Sequence, residues 1–237
     1  GARRLSRDEA AAIATIPVLP ISYADAEPLL RQLSGPMAPS DWRGALPLSY
    51  HLGPGPARVR LQVEFDWQMV TARNVIARRQ GSIFPDEWVI RGNHHDGWNH
   101  GARDPVSGLV TMLAEARAIA RLDEPIDRTI VYAAWDAEEP GLMGSTEWVE
   151  EHARELSRKA VAYLNTDGMG RGFVSVGASH TLERFFNQLL SDVEDPQTKL
   201  SIGDRRRARI QINGDEKAVS ELTDRRDLRV AALGSGS

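Results

Sequence analysis

The sequence predicts an α/β fold in which a mostly parallel mixed sheet is flanked by helices. Two patterns point there. Short apolar runs alternate with longer amphipathic stretches from about residue 60 onward, the rhythm of strand, helix and strand. The run Thr129-Ile130-Val131-Tyr132-Ala133-Ala134-Trp135 is apolar on both alternating sets of positions, as expected of a strand covered on both faces. With 237 residues, 41% of them hydrophobic, the chain has enough apolar mass for one core.

Residues 1–60 are dense in Pro and Gly, as in Ile16-Pro17-Val18-Leu19-Pro20, Gly35-Pro36 and Gly53-Pro54-Gly55-Pro56, and read as connecting structure. The texture changes near residue 60, so residues 61–237 form the α/β part. Strand-like alternation runs through Val59, Val63 and Phe65, then Asn74-Val75-Ile76-Ala77, then Trp88-Val89-Ile90 into Gly92. The stretch 105–122 predicts a helix with Leu109, Leu113, Ala116 and Ala120 on its inner face and Glu115, Arg117 and Arg121 outside. After the strand at 129–135, a helix is expected at about 145–156, a short strand at 161–164, and a further helix at 182–193. Beyond that the chain is polar and carries no clear period. Crossovers of this kind place neighbouring strands parallel under helical layers.

The composition excludes several classes. A net charge of -4 and the short run Arg205-Arg206-Arg207 with Arg209, set among acidic neighbours, give no footprint for nucleic acid; the run reads as a solvated loop. No segment is apolar enough to span a membrane, and Gly1-Ala2-Arg3-Arg4 does not lead into a secretory core. The absence of cysteine removes disulfides and thiolate sites, leaving His and carboxylates as the metal ligands available.

The reactive side chains follow the predicted strands. His94 and Asp96 follow the strand ending near Gly92, Asp136, Glu138 and Glu139 follow Trp135, and Asp167 follows Leu164. Strand carboxyl ends form the ligand crevice of open α/β sheets, so distant segments converge there. So much negative charge in a partly dry cleft either binds cations or is forced toward protonation. A mixed imidazole and carboxylate set suits zinc better than calcium or magnesium. In His94-x-Asp96 the spacing lets the carboxylate orient the imidazole, and Asp104 opens a helix whose dipole favours its charge. Taken singly each piece fits a turn or a cap, and their joint order in this topology points to a metal site. Among the other histidines, His95 and His100 are the nearest alternatives as ligands.

These motifs carry a family resemblance. Gly92-Asn93-His94-His95-Asp96-Gly97-Trp98, Gly101-Ala102-Arg103-Asp104-Pro105-Val106-Ser107-Gly108, Trp135-Asp136-Ala137-Glu138-Glu139 and Asn165-Thr166-Asp167 resemble the glutamate carboxypeptidase II branch of zinc peptidases. That branch also holds prostate-specific membrane antigen and the non-catalytic transferrin receptor. The likeness extends to Tyr23-Ala24-Asp25-Ala26, Trp42-Arg43-Gly44, Gly53-Pro54-Gly55-Pro56 and Gly141-Leu142-Met143-Gly144-Ser145-Thr146-Glu147-Trp148, fades over 185–228, and returns at Leu233-Gly234-Ser235-Gly236-Ser237, which resembles a loop reaching the substrate pocket.

The resemblance implies a zinc exopeptidase fold preceded, over residues 1–60, by the tail of a protease-associated apical domain. It implies two zinc ions, with His94 and Asp167 on one, Glu139 on the other, Asp104 bridging them, and Glu138 as general base beside Asp96. Glu147 and Glu150 match the family's structural calcium ligands. The family's remaining zinc ligand is a His downstream of the glycine-serine loop, and a helical dimerisation domain lies beyond it; neither has a counterpart in these residues, so this stretch is expected to be inactive alone. The implied substrate is a small peptide, the implied parent a homodimer in an extracellular or periplasmic setting. A receptor or scaffold of the transferrin-receptor kind is the alternative, disfavoured by retention of the five ligand and base residues. A single-zinc acyltransferase of the glutaminyl cyclase type is a third, disfavoured by the two-metal set.

Overall fold

The structure is a computed structural model and describes residues 5–233 apart from Arg7, Thr15 and Arg226. The expected pocket loop at Gly234-Ser235-Gly236-Ser237 and the opening Gly1-Ala2-Arg3-Arg4 therefore lie outside the described residues. Backbone contacts divide the chain into two compact units, Gly1–Val70 and Thr71–Ser237.

Among its described residues the first unit contains one helix, α1 (Tyr23–Leu30), begun by Ser22, whose hydroxyl accepts the Asp25 N–H at 3.2 Å. A single 3-10 turn at Ser40–Trp42 and an isolated antiparallel bridge between Met37 and His51 follow, with Ala38 buried beside the bridge. The strand expected around Val59, Val63 and Phe65 does not form: residues 57–73 are irregular. Alternation makes a strand only where a neighbouring edge completes its hydrogen bonds, and these residues pair with no other strand.

The second unit is built on four strands, β1 (Val75–Arg79), β2 (Phe84–His94), β3 (Arg128–Trp135) and β4 (Ala160–Asn165), in the order β1-β3-β2-β4. β1 is antiparallel to β3; β2 pairs parallel with both β3 and β4. The mixed, mostly parallel sheet flanked by helices is thus the expected architecture. Helix α2 (Val106–Ala120) links β2 to β3, and α3 (Met143–Lys159) links β3 to β4.

The two helices cover opposite faces. On one face Trp88, Ile90 and Val131 form a buried cluster against Leu156 of α3. On the other, Arg91 is buried and meets α2 through Glu115, with Nε donating at 2.9 and 3.0 Å and Nη1 reaching the Leu164 carbonyl at 2.7 Å. A buried guanidinium demands such a partner. That demand, with the close fit of Gly108 and Met112, turns α2 away from the expected orientation: Glu115 faces the sheet, whereas Leu113 is 55% exposed.

The polar remainder is helical. A 3-10 turn at His180–Leu182 leads into α4 (Glu183–Asp192), followed by α5 (Ile202–Asn213) and α6 (Glu216–Asp224). Ser201 caps α5 by accepting the Asp204 N–H, and Asp215 caps α6 by accepting the Ala218 N–H. Arg205, Arg206 and Arg207 therefore lie on a helix, not in the expected loop; Arg205 pairs with Asp195 and Arg206 donates to the Arg229 carbonyl. No described helix is long and apolar enough to cross a membrane.

Candidate metal centre

Adjacent strands β2 and β3 send their chains to opposite faces, β2 to α2 and β3 to α3, which makes the crevice between their carboxyl ends a topological switch point. The register places His94 opposite Trp135 at that crevice, and β4 ends one strand away, with Asn165 opposite Gly92. Gly92 has no room for a side chain, because a Cβ there would stand 2.1 Å from the Tyr163 hydroxyl, which accepts the Trp135 indole N–H at 3.0 Å.

His94 is only 1% exposed. Its Nδ1 faces the Asp96 carbonyl oxygen at 3.1 Å and Asp96 Oδ1 at 3.4 Å. Its Nε2 lies 3.1 Å from Asp104 Oδ1, 3.1 Å from Asp167 Oδ1 and 4.0 Å from Glu138 Oε2. One nitrogen thus donates to Asp96 while the other looks at carboxylates alone. A neutral imidazole with Nδ1 protonated would set a lone pair against anionic oxygens, so the arrangement calls for a second proton or a cation. Burial opposes protonation of His94, but the Asp167 hydrogen bond and the charges of Glu138, Asp167 and Asp96 outweigh it and raise its pKa. Burial pushes the Glu138 carboxyl up; the His94 charge opposes this, and Asp167, Glu139 and Asp96 reinforce it.

His94, Asp104 and Glu139 each offer a ligand atom within 4.8 Å of the others, the one such group among the described residues. One imidazole with converging carboxylates is a donor set for a zinc-like dication. The site is graded in exposure: His94 forms its floor, Glu138 is 15% exposed, and Asp104 is 64% exposed at the open side. Asp104 does not cap α2, since Pro105 occupies the cap position without a side-chain bond.

Asp96 does more than face His94. Its Oδ1 accepts the Glu138 N–H at 3.1 Å and its Oδ2 the Glu139 N–H at 3.2 Å, so it ties the loop after β2 to the loop after β3. Asp167 follows β4, and its carbonyl accepts the Asn93 side-chain N–H at 3.3 Å. Gly108 of α2 packs on that loop, where a Cβ would meet the Asp167 and Thr166 carbonyl oxygens at 2.0 and 2.2 Å.

Other candidates lie elsewhere. Asp136 accepts the Arg73 N–H at 2.7 Å and the Ala137 N–H at 2.8 Å; the first of these above all holds its carboxyl below the usual range. His95 Nε2 faces the Arg73 carbonyl at 3.1 Å, and His100 is exposed. Glu147 and Glu150 sit on the exposed side of α3, outside the converging group. Sequence reasoning overlooked Asn74, which hydrogen-bonds the Asp136 N–H and the Gly144 carbonyl. Its signal was a lone amide directly ahead of the apolar run Val75-Ile76-Ala77.

Residues 74–218 match the model of Peptidase family M28. "Probable glutamate carboxypeptidase VP8" of Zea mays is 37% identical over 205 residues, covering 83% of this chain and 29% of the relative. "Aminopeptidase NAALADL1" of Mus musculus is 41% identical over 177 residues, covering 69% of this chain and 24% of the relative. Among solved structures, BSAP, a zinc aminopeptidase from Bacillus subtilis, is 26% identical with a TM-score of 0.44, covering 51% of this chain and 33% of that one. The chain spans less than a third of the length of the curated relatives it matches. By the family match over its sheet and the identity to these relatives, the chain belongs to peptidase family M28, on its glutamate carboxypeptidase II-like branch.

Proposed function

We propose that this chain carries the general base and most of the metal ligands of a co-catalytic two-zinc exopeptidase acting on small peptides. The supporting observation is the convergence on His94 Nε2 of Asp104 and Asp167, each at 3.1 Å, with Glu139 inside the same group. His94, Asp104, Asp167 and Glu139 would hold the zinc ions, which when bound supply Lewis acidity to a water and to the peptide carbonyl.

Glu138 takes a proton from the attacking water as its oxygen bonds to the carbonyl carbon. It then delivers that proton to the departing amine nitrogen as the C–N bond breaks. The burial that raises its pKa makes Glu138 a better acceptor of that proton in the first half of the exchange. Asp96 keeps His94 protonated on Nδ1, so that Nε2 is free to act as a ligand.

The test is zinc content by mass spectrometry beside hydrolysis of dipeptides blocked at either end. Cleavage only with a free amino terminus assigns an aminopeptidase, and only with a free carboxylate a carboxypeptidase. Absence of zinc binding overturns the reading. Zinc binding with no hydrolysis in the enzyme carrying all its domains favours a receptor or scaffold.

A further inference from the structure

Asn74 stands immediately before β1 and is half-buried. Its side-chain amide joins the two ends of one loop: Oδ1 accepts the Asp136 N–H at 3.0 Å, and Nδ2 donates to the Gly144 carbonyl at 2.8 Å. Between those ends lie Glu138 and Glu139. The amide therefore acts as an extra peptide unit across the base of the loop, matching one donor and one acceptor as a strand neighbour would. The Arg73 N–H adds a third attachment through Asp136 Oδ2 at 2.7 Å.

The loop itself needs such a clasp. Ala137 and Leu142 hold φ of 54° and 58°, left-handed values for residues with side chains. Backbone of this kind persists only where its surroundings over-determine it. Within the loop the Glu138 carbonyl accepts the Gly141 and Leu142 N–H groups at 2.8 and 2.7 Å, and the Ala137 carbonyl accepts the Met143 N–H at 2.9 Å. Gly144 is fitted to the amide: a Cβ there would stand 2.5 Å from Asn74 Oδ1 and 2.1 Å from the Asp136 carbonyl oxygen.

We propose that Asn74 is a positioning residue for Glu138 and Glu139, setting where both carboxylates stand relative to His94 while touching neither metal nor substrate. The proposal rests on the metal-centre reading above, and its test separates the two. Zinc affinity of the purified chain is measured by competition with a chromophoric chelator, well below the melting temperature of every variant. The visible absorption of the cobalt-loaded chain reports ligand geometry. Glu139→Ala tests the centre itself, and Asn74→Ala and Asn74→Asp test the clasp.

The expected result is a fall of about 10- to 100-fold in zinc affinity for Asn74→Ala, the range typical of residues that orient ligands, with an altered cobalt band. Asn74→Asp keeps the acceptor for the Asp136 N–H and loses the donor, so its loss should be smaller. A residue that only stabilised the fold would leave both readouts unchanged in folded protein. If Glu139→Ala weakens zinc while both Asn74 variants bind zinc and cobalt as the parent does, the clasp is refuted and the centre stands. If Glu139→Ala binds zinc as tightly as the parent, the centre falls and the clasp with it. Should Asn74→Ala fail to fold, Asn74→Asp decides by the same criteria.

Discussion

The Asp96 carboxylate accepts the backbone N–H of Glu139 at 3.2 Å, and its second oxygen accepts that of Glu138 at 3.1 Å. A side chain from the end of one strand thereby fixes the loop that follows its neighbour. Asp96→Asn replaces one accepting oxygen by an NH2 group that must oppose one of those N–H donors. Zinc affinity should drop by roughly 10- to 100-fold, measured by chelator competition. An unchanged affinity would show that the Glu138-Glu139 backbone needs no such anchor.

Glu138→Gln is nearly isosteric and removes only the ability to accept a proton. In the enzyme carrying all its domains, peptide hydrolysis should fall by about 100-fold or more, the usual share of a positioned acid-base group, while zinc content stays at the parent value. Full turnover in this variant would remove Glu138 from the proton path.

Gly108→Ala sets two effects against each other. Alanine inside a helix is favoured over glycine by about 1 kcal/mol. Here the new methyl would stand 2.0 and 2.2 Å from backbone oxygens of Asp167 and Thr166, which cannot swing aside as a side chain would. Overpacking of this kind costs roughly 1–3 kcal/mol, so the net change is destabilising, and the displaced Asp167 should weaken zinc as well. Gly170→Ala, with no atom within 4 Å of the added carbon, serves as the neutral control. Urea unfolding midpoints compare the two; a stabilised Gly108→Ala would contradict the contact.

Tyr132 supplies a pH test remote from the metal ligands. Burial, reinforced by the Glu115 charge, pushes its hydroxyl up to about 12. A folded-state pKa above the unfolded one stabilises the protein below the ordinary tyrosine value and loses that contribution as pH rises through the folded value. Stability should therefore decline between about pH 10 and pH 12, and less so in Tyr132→Phe. Phenolate absorbance should show one of the four tyrosines ionising last, a step absent from Tyr132→Phe. Ionisation of all of them together near the ordinary value, in folded protein, would rule this out.

β3 and the later part of β2 were legible because an apolar run under helices on both sides leaves little choice but a buried strand, whereas β4, exposed at the sheet edge, was legible from the short apolar run Val161-Ala162-Tyr163-Leu164. The convergence of His94, Asp104, Glu139 and Asp167 was legible for a related reason, since topology alone delivers strand ends to one edge. The orientation of α2 was not. Counting Leu109, Leu113, Ala116 and Ala120 measures hydrophobicity, whereas the helix is set by the closeness of Gly108 and by the charge that Arg91 must meet in Glu115. Helix α5 lacks an apolar stripe strong enough to announce it, and the stripe of α6 (Ala218, Val219 and Leu222) is too short to set a period; their other signals were the caps Ser201 and Asp215. Asn74 escaped notice because it acts on main-chain groups, whose positions no side-chain pattern encodes.

Pairing between β2 and β3 runs unbroken from Trp88 opposite Thr129 to His94 opposite Trp135, and the irregularities of β2 fall at Phe84/Trp88 and Trp88/Val89. Because side chains alternate sides at every step, the imidazole reaches the crevice by odd-even counting. Lengthening the chain by one residue between 89 and 94 would swing His94 to the other side of the sheet and present a neighbour in its place. The same insertion at the turn before β2, upstream of both irregularities, would leave that parity unchanged, although it would disturb the Ser82 and Phe84 N–H bonds to the Ile126 and Asp127 carbonyls. Tolerance to insertions along this strand should therefore change abruptly at Val89, and the chemistry is protected by parity as much as by the identity of any one ligand.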